Sequence, residues 1–549
     1  METPTSTDEV IDVDAVVVGA GFAGLYMLHR LRDVLGLRTK VIEAAGGVGG
    51  TWYWCRYPGA RCDVESQVYC YSFSKELLQD WEWSERYPSQ PELLRYMNHV
   101  ADRFDLRRDI ELGTSVISAH FDDEARCWTV STDTGLVYRA QFFITGVGLL
   151  ASSPYQPDFP GISDFSGEVY HTGRWPQEEV DFRGKRVGVI GTGSTCVQAG
   201  PAIAEEADHL FVFQRTAQYV IPARHARLTA EDQREIKEHY DEIWELCKRS
   251  VGGFPFEHNG QSAFDVSDEE RRATFDRLWE VGGFRFLGES YNDLLTNDAA
   301  NDSVSEFVRE KMRLTVGDPA LAERLLPDPK LPLGGKRPII ATGYLEMFNR
   351  DNVTLVDVRD EPIESFTESG LQVGSRTIPL DVVVFATGFD AITGPYLRMD
   401  IRGRGGRTLE DKWHRNGVKG YLGIGLSGFP NLFMITGPGS TFGNLVVSIE
   451  HHVEWIADCI DYMRKNDYDL IEAEAAAEEE WSERIERQVA RTVTGRVDSW
   501  FNGANIPGKP RGTLVFLGHF GLYRRWVDEA AENGYAGFEL ASAKPRPAD

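Results

Sequence analysis

DAVVVGAGFAGLYMLHRL, residues 14–31, joins a continuous apolar run, a glycine-punctuated turn and a segment of helical periodicity. Ala15–Val18 reads as a strand buried on both faces. Gly19, Gly21 and Gly24 then follow at the spacing a dinucleotide demands. The first makes the tight turn, and the second lets backbone N–H groups approach a pyrophosphate. The third lets helix and strand pack closely. Such glycines alone are a weak sign; between a strand and a helix they become a strong one. A second apolar strand, TKVIEA, ends at Glu43, 24 residues after Gly19. A carboxylate there can accept hydrogen bonds from ribose hydroxyls.

The pattern recurs in GKRVGVIGTGSTCVQAG, residues 184–200. Gly191 and Gly193 stand in place, whereas the third position is Cys196, a departure expected to loosen helix–strand packing. The next strand, HLFVFQRT, ends at Arg215, again 24 residues from the first glycine. Equal offsets carry opposite charges. Glu43 repels a 2′-phosphate and Arg215 pairs with one. The first site therefore suits FAD (or NAD), and the second suits NADP.

Two short strands bracket the middle of the chain, QFFITGVG (141–148) and DVVVFATGFDA (381–391). They read as an exit from the first fold and a return to it. Between Arg224 and about Pro332 the texture turns charged and amphipathic, as in LTAEDQREIKEHYDEIWELCKRS, VSDEERRATFDRLWEVGG and DSVSEFVREKMRLTV, with helical periods and N-cap residues. The expectation is an α/β protein of two dinucleotide-binding, Rossmann-like domains with an inserted helical subdomain. Residues 1–150 and 386–549 form the FAD-binding domain. Residues 151–222 and 334–385 form the NADP-binding domain, and 223–333 the helical insertion.

A formal net charge of −27 argues against nucleic acid or an anionic membrane as main partner. Seven cysteines lack metal or redox-pair spacing, which suits a reducing compartment without a disulfide framework. The N-terminal METPTSTDEVIDVD lacks a signal pattern, and no apolar run reaches the ~18–20 residues of a membrane span. A soluble cytoplasmic protein is expected, with a monomer a plausible state.

FSGEVYHTGRWP, residues 165–176, lies between the two folds and places Phe165, Gly167, His171, Trp175 and Pro176 at fixed offsets. Here the chain resembles the type I Baeyer–Villiger monooxygenases, whose fingerprint is this spacing. GGTWYWCRYPGARCDVES (49–66) matches a second family pattern through Gly50, Trp52, Tyr57, Pro58, Gly59 and Asp63. The resemblance spans nearly the whole chain. KRPIIATGYLEMFNRDNV and SWFNGANIPGKPR look closest to the phenylacetone and steroid monooxygenase branch.

The resemblance implies an enzyme that uses FAD, NADPH and O2 to convert a ketone to an ester or lactone through a flavin C4a-peroxide. It assigns Gly50, Thr51, Trp52, Asp63, Tyr69 and Val116, with Gly19, Gly21, Gly24 and Glu43, to FAD. Gly191, Thr192, Gly193, Ser194, Thr195, Arg215, Thr216 and Lys336 fall to NADP. Arg337 matches the active-site arginine and Asp63 the carboxylate that positions it. Guanidinium suits the role because it keeps its proton and presents directed donors. Trp500, in the loop DSWFNGANIPGKPR (498–511), matches a residue that reaches bound NADP; the rival reading packs it in a core. His171 is implied to act through conformation, not proton transfer. Departures from the family, Gly343-Tyr344-Leu345 after the Lys-Arg pair and a short GPGSTFGNLVVSIE (437–450) with Thr441 and Phe442, are expected to bear on substrate choice.

Three rival readings remain at this point. A flavin-containing monooxygenase would oxidise amines or sulfides instead. A disulfide reductase needs a redox cysteine pair, which Cys55, Cys62 and Cys70 do not supply. A non-catalytic NADPH sensor would have no need of Arg337 and Asp63.

Overall fold

The computed structural model describes residues 10–150 and 153–542; most of METPTSTDEVIDVD lies outside the described residues. Val10–Val18 runs parallel between Thr39–Glu43 and Val137–Thr145. Ile110–Leu112 extends the sheet beyond Thr39–Glu43. On the other side, Val137–Thr145 leads antiparallel into Cys127–Thr132 and Val116–Asp122, with Asp400–Arg402 at the far edge. Leu432–Met434 also joins Val137–Thr145. Ala15, Val16 and Val17 are wholly buried, as a central parallel strand covered on both faces requires.

The second sheet centres on Arg186–Ile190, flanked by His209–Gln214 and Val382–Phe385. Val353–Asp357 lies outside the former and Glu168–His171 outside the latter, and all five strands are parallel. The motif around His171, read from sequence as lying between two domains, is thus the edge strand of this sheet. His171 stands opposite Phe385. Cys196 is fully buried in the helix Ser194–Glu206, so this helix stands far enough from its sheet to admit a side chain.

The charged middle stretch forms helices at Ala230–Glu238, Tyr240–Arg249, Asp268–Val281 and Asp298–Thr315. Thr229, Ser267 and Asn297 cap three of them with side-chain hydrogen bonds. These helices do not build a core of their own. Tyr240, Trp244 and Cys247 pack into the core of the first sheet, whereas Phe275, Leu278, Val304 and Phe307 pack into that of the second. Each apolar stripe is too narrow to bury itself and must find a neighbour.

Tyr344 and Leu345 are buried in the second core, in the short helix Tyr344–Met347 packed on Ser194–Glu206. They therefore bear on packing in the second fold.

Candidate active site

The first glycine turn is shaped for close approach. Gly19 has φ of +98°, and a Cβ there would meet the Gly146 carbonyl oxygen at 2.6 Å. A Cβ on Gly24 would lie 1.7 Å from the Gly19 oxygen. The helix Phe22–Leu28 begins at Gly21 with no side-chain cap, so its first N–H groups are left to a bound anion. Gly50 presses on Gly21: a Cβ on Gly50 would sit 3.0 Å from the Gly21 Cα. Thr51 starts the short helix Thr51–Trp54, and Trp52 meets Tyr69 edge-on at 5.8 Å. Glu43 closes the turn from below, its oxygens accepting from the N–H groups of Ala20 (2.6 Å) and Ala45 (2.8 Å). Burial pushes this carboxyl above the ordinary range, with the two N–H groups opposing. Two of its acceptor directions remain for ribose hydroxyls. Val116 is buried beside Val16 and Ile42; Thr114, two residues before it, donates its N–H to the Glu43 carbonyl at 2.9 Å.

The second turn repeats the shape. Gly191 has φ of +108°, and nothing lies within 4 Å of a Cβ built on Gly193. The helix Ser194–Glu206 starts there, again without a side-chain cap, with Ser194 and Thr195 in its first turn. Thr192 Oγ1 donates to the Thr216 carbonyl at 2.9 Å, tying the turn to the strand end that carries Arg215. Arg215 is exposed. Burial and the nearby Arg215 charge hold Lys336 below the ordinary lysine range. Two cations held together against their repulsion mark a place for a dianion. Both turns fit a dinucleotide, on bare helix ends and cradles that a Cβ would fill.

Between the two turns lies Arg337, directly after Lys336 and two residues before the strand Ile339–Ala341. Its Nη1 and Nη2 donate to the two oxygens of Asp63, Nη2 at 2.9 Å. The side chains are 23% and 16% exposed. Burial alone would depress the guanidinium; the Asp63 charge and hydrogen bonds outweigh it and hold Arg337 above its ordinary value. Its Cζ lies 5.2 Å from the Phe284 ring and 5.7 Å from that of Phe442. Phe442 in turn meets Trp500 edge-on at 5.1 Å. The 499–509 segment is anchored where the chain leaves the second sheet. Asn505 donates to the Phe389 carbonyl at 2.8 Å, and Lys509 bonds Asp390 at 2.5 Å and the Ala391 carbonyl at 2.7 Å. A cation directed by a carboxylate, set among aromatic rings and covered by a tryptophan-bearing segment, can stabilise negative charge on oxygen out of water.

The flavin-binding monooxygenase-like family matches residues 13–228. A Baeyer–Villiger monooxygenase of Pseudooceanicola batsensis is 46% identical over 526 residues, 95% of either chain. The chain belongs to the type I Baeyer–Villiger monooxygenase family. A phenazine N-monooxygenase of Lysobacter antibioticus is 44% identical, over 96% of this chain and 97% of that one. The solved structure of an oxidised steroid monooxygenase bound to NADP superposes with a TM-score of 0.92 at 48% identity, over 97% of this chain and 100% of that one.

In this Baeyer–Villiger family member the fingerprint histidine is hydrogen-bonded within its own motif and to Tyr155. The Gly173 N–H donates to His171 Nδ1 at 2.9 Å, so the proton sits on Nε2 and is donated to the Tyr155 carbonyl at 3.1 Å. Thr387 donates to the same carbonyl at 2.5 Å. Arg174 stacks on Trp54 at 4.3 Å, and the Trp175 N–H donates to the Trp54 carbonyl. The motif thus holds the second sheet to the Thr51–Trp54 helix. Sequence reasoning missed Phe284, a ring beside Arg337, and Phe254 and Phe256, the rings stacked behind it. The signal available was Gly282-Gly283 just before Phe284, two adjacent glycines of positive φ.

Proposed function

We infer that the protein is an FAD- and NADPH-dependent monooxygenase that uses O2 to convert ketones to esters or lactones. The Arg337–Asp63 pair, set among aromatic rings between the two nucleotide turns, carries this reading. FAD reduced by NADPH supplies the oxygen-activating chemistry. Arg337 holds a fixed, forked donor where negative charge develops on oxygen as the ketone carbonyl is attacked. Asp63 fixes the direction of that fork and uses two donors that would otherwise stay unpaired. Trp500 and the 498–511 loop cover the site against water. FAD rests on Gly19, Gly21, Gly24, Glu43 and the Gly50–Trp52 segment, NADP on Gly191–Thr195, Arg215, Thr216 and Lys336. The domain limits given above are proposed on the same grounds.

The 48% identity to a steroid monooxygenase supports placement in the phenylacetone and steroid branch. All seven cysteines are free thiols, which supports a cytoplasmic location. Among the described residues no helix is long and apolar enough to cross a membrane. Incubating the holoenzyme with NADPH, O2 and a panel of ketones, with products identified by mass spectrometry, tests the reading. The 44%-identical phenazine N-monooxygenase favours a second one, oxidation of a heteroaromatic nitrogen. A nitrogen heterocycle in the same panel separates the two.

Two further outcomes are expected. Arg215→Ala should raise KM for NADPH far more than for NADH, by the roughly 1–3 kcal/mol of a charge-assisted contact. An unchanged preference between the two nucleotides in steady-state kinetics would remove Arg215 from the 2′-phosphate site.

His171→Ala should lower turnover or uncouple NADPH oxidation from ester formation, with FAD still bound. Burial, aided by Arg174 and opposed by the Tyr155 carbonyl, holds the imidazole below the ordinary histidine range. The folded state therefore favours neutral His171. Its contribution to stability is complete above about pH 6.5 and is lost as pH falls towards the depressed folded value. Thermal unfolding between pH 5 and 7 should show this slope in the wild type and a weaker one in His171→Ala. Identical slopes would count against the assignment.

A further inference from the structure

Two cavities adjoin along the segment Asp63–Gln67. The inner one is about 10 Å³, room for about one water, and is walled by Asp63, Glu65, Phe254, Phe256 and Phe284. Phe284 is a ring on which Arg337 lies and Asp63 is that arginine's ion-pair partner, so one layer of side chains separates this void from Arg337. The outer one is an open groove of about 590 Å³ between Glu65–Gln67 and the helices Ala230–Glu238 and Tyr240–Arg249. That volume suits a small organic molecule. Glu65 is the residue both cavities share.

The partition between them is held by charge and by stacked rings. Glu65 accepts from Arg285 at 2.8 and 3.0 Å and from Arg86 at 2.8 and 3.1 Å. Arg285 lies over the Phe256 ring at 5.1 Å. Phe256 stacks on Phe254 at 5.2 Å and 3°, and Phe254 meets Phe284 at 5.4 Å. From groove to active site the order is Arg285, Phe256, Phe254, Phe284, Arg337. The approach past Phe442 and Trp500 is covered by the anchored 499–509 segment, on the side assigned to NADP.

We propose that ketone reaches Arg337, and ester leaves it, through this groove, with the Glu65–Arg285 ion pair as the gate; this rests on the monooxygenase reading above. The inner void holds no more than about one water, so the rings must part for a ketone to pass. Phe256 cannot swing while Arg285 lies over it clamped to Glu65. The clamp is 23% exposed at Arg285 and 10% at Glu65, so water can compete for it. Asp63 and Glu65 stand two residues apart: one orients the arginine of the reaction, the other the arginine of the passage.

The test compares cyclohexanone with a fused-ring ketone on the FAD-loaded enzyme. Arg285→Met removes the clamp yet leaves Glu65 paired with Arg86, so no buried carboxylate is orphaned. It should raise the bulky-to-small ratio of kcat/KM by about five-fold or more, with FAD content and flavin reduction by NADPH unchanged. Glu235→Trp, at an exposed position lining the groove, should lower that ratio by a similar factor, with kcat for cyclohexanone within about two-fold of wild type. Ratios within about two-fold of wild type in both variants, or parallel losses on both ketones, overturn the port. A wild type that reduces its flavin with NADPH and oxidises neither ketone overturns the underlying reading, and the port with it.

Discussion

Arg337→Ala should lower ester formation by about 10²–10³, the usual cost of losing one preorganised donor at a developing oxyanion, while FAD stays bound. The flavin contacts assigned to Gly19, Gly21, Gly24, Glu43 and the Gly50–Trp52 segment do not involve Arg337; of the residues assigned to FAD, Asp63 is the one that pairs with it. Flavin reduction by NADPH should continue, because Lys336 and Arg215 are untouched. The variant should therefore consume NADPH and yield little ester. Arg337→Lys should not recover much activity. One ammonium cannot hold both oxygens of Asp63 and still direct a fork at the substrate. Asp63 is only 16% exposed, so alanine at 337 also leaves a carboxylate short of its partner, and a modest loss of stability should accompany the loss of product. Ester quantitation beside NADPH consumption and FAD content makes the measurement. Ester formation within a few-fold of wild type would remove Arg337 from the chemistry.

Gly24→Ala should abolish FAD binding and destabilise the fold. The added Cβ would sit 1.7 Å from the Gly19 carbonyl oxygen, a backbone atom that cannot rotate away. The helix must lift off the strand, and overpacking of this kind costs about 1–3 kcal/mol or more. The turn whose N–H groups would meet the pyrophosphate moves with it. Gly193→Ala is the matched control. Its Cβ meets nothing within 4 Å, and its φ of −82° and ψ of −173° suit any residue, so stability should hold. Flavin absorbance per mole of protein and thermal unfolding decide the matter. A full FAD complement with an unshifted Tm in Gly24→Ala would show that the close approach is not needed.

The third position of each turn, Gly24 and Cys196, shows how far local sequence reaches. Whether a turn follows a strand and opens a helix is settled within about ten residues by backbone sterics, and so it is legible in one dimension. The gap behind the helix is not. Gly24 and Cys196 hold equivalent positions, yet one allows no Cβ and the other buries a whole thiol. How closely a helix approaches its sheet depends on what packs from its other side.

From the sequence alone come the two nucleotide turns, the opposed charges of Glu43 and Arg215 at equal offsets, and, by family resemblance, the naming of Arg337 and Asp63. These rest on short-range rules: glycine where the chain must turn tightly, charge at a strand end, residue type in a motif. Tertiary structure brings Asp63 to Arg337 across 274 residues of chain, as the resemblance implied, and it alone decides that the surrounding rings come from Phe284 and Phe442. It also makes the His171 motif the edge strand of the second sheet and divides the charged helices between two cores. Amphipathic helices and single aromatic residues carry no address. An apolar stripe specifies that it will be buried, and only the packing of the whole chain specifies against what.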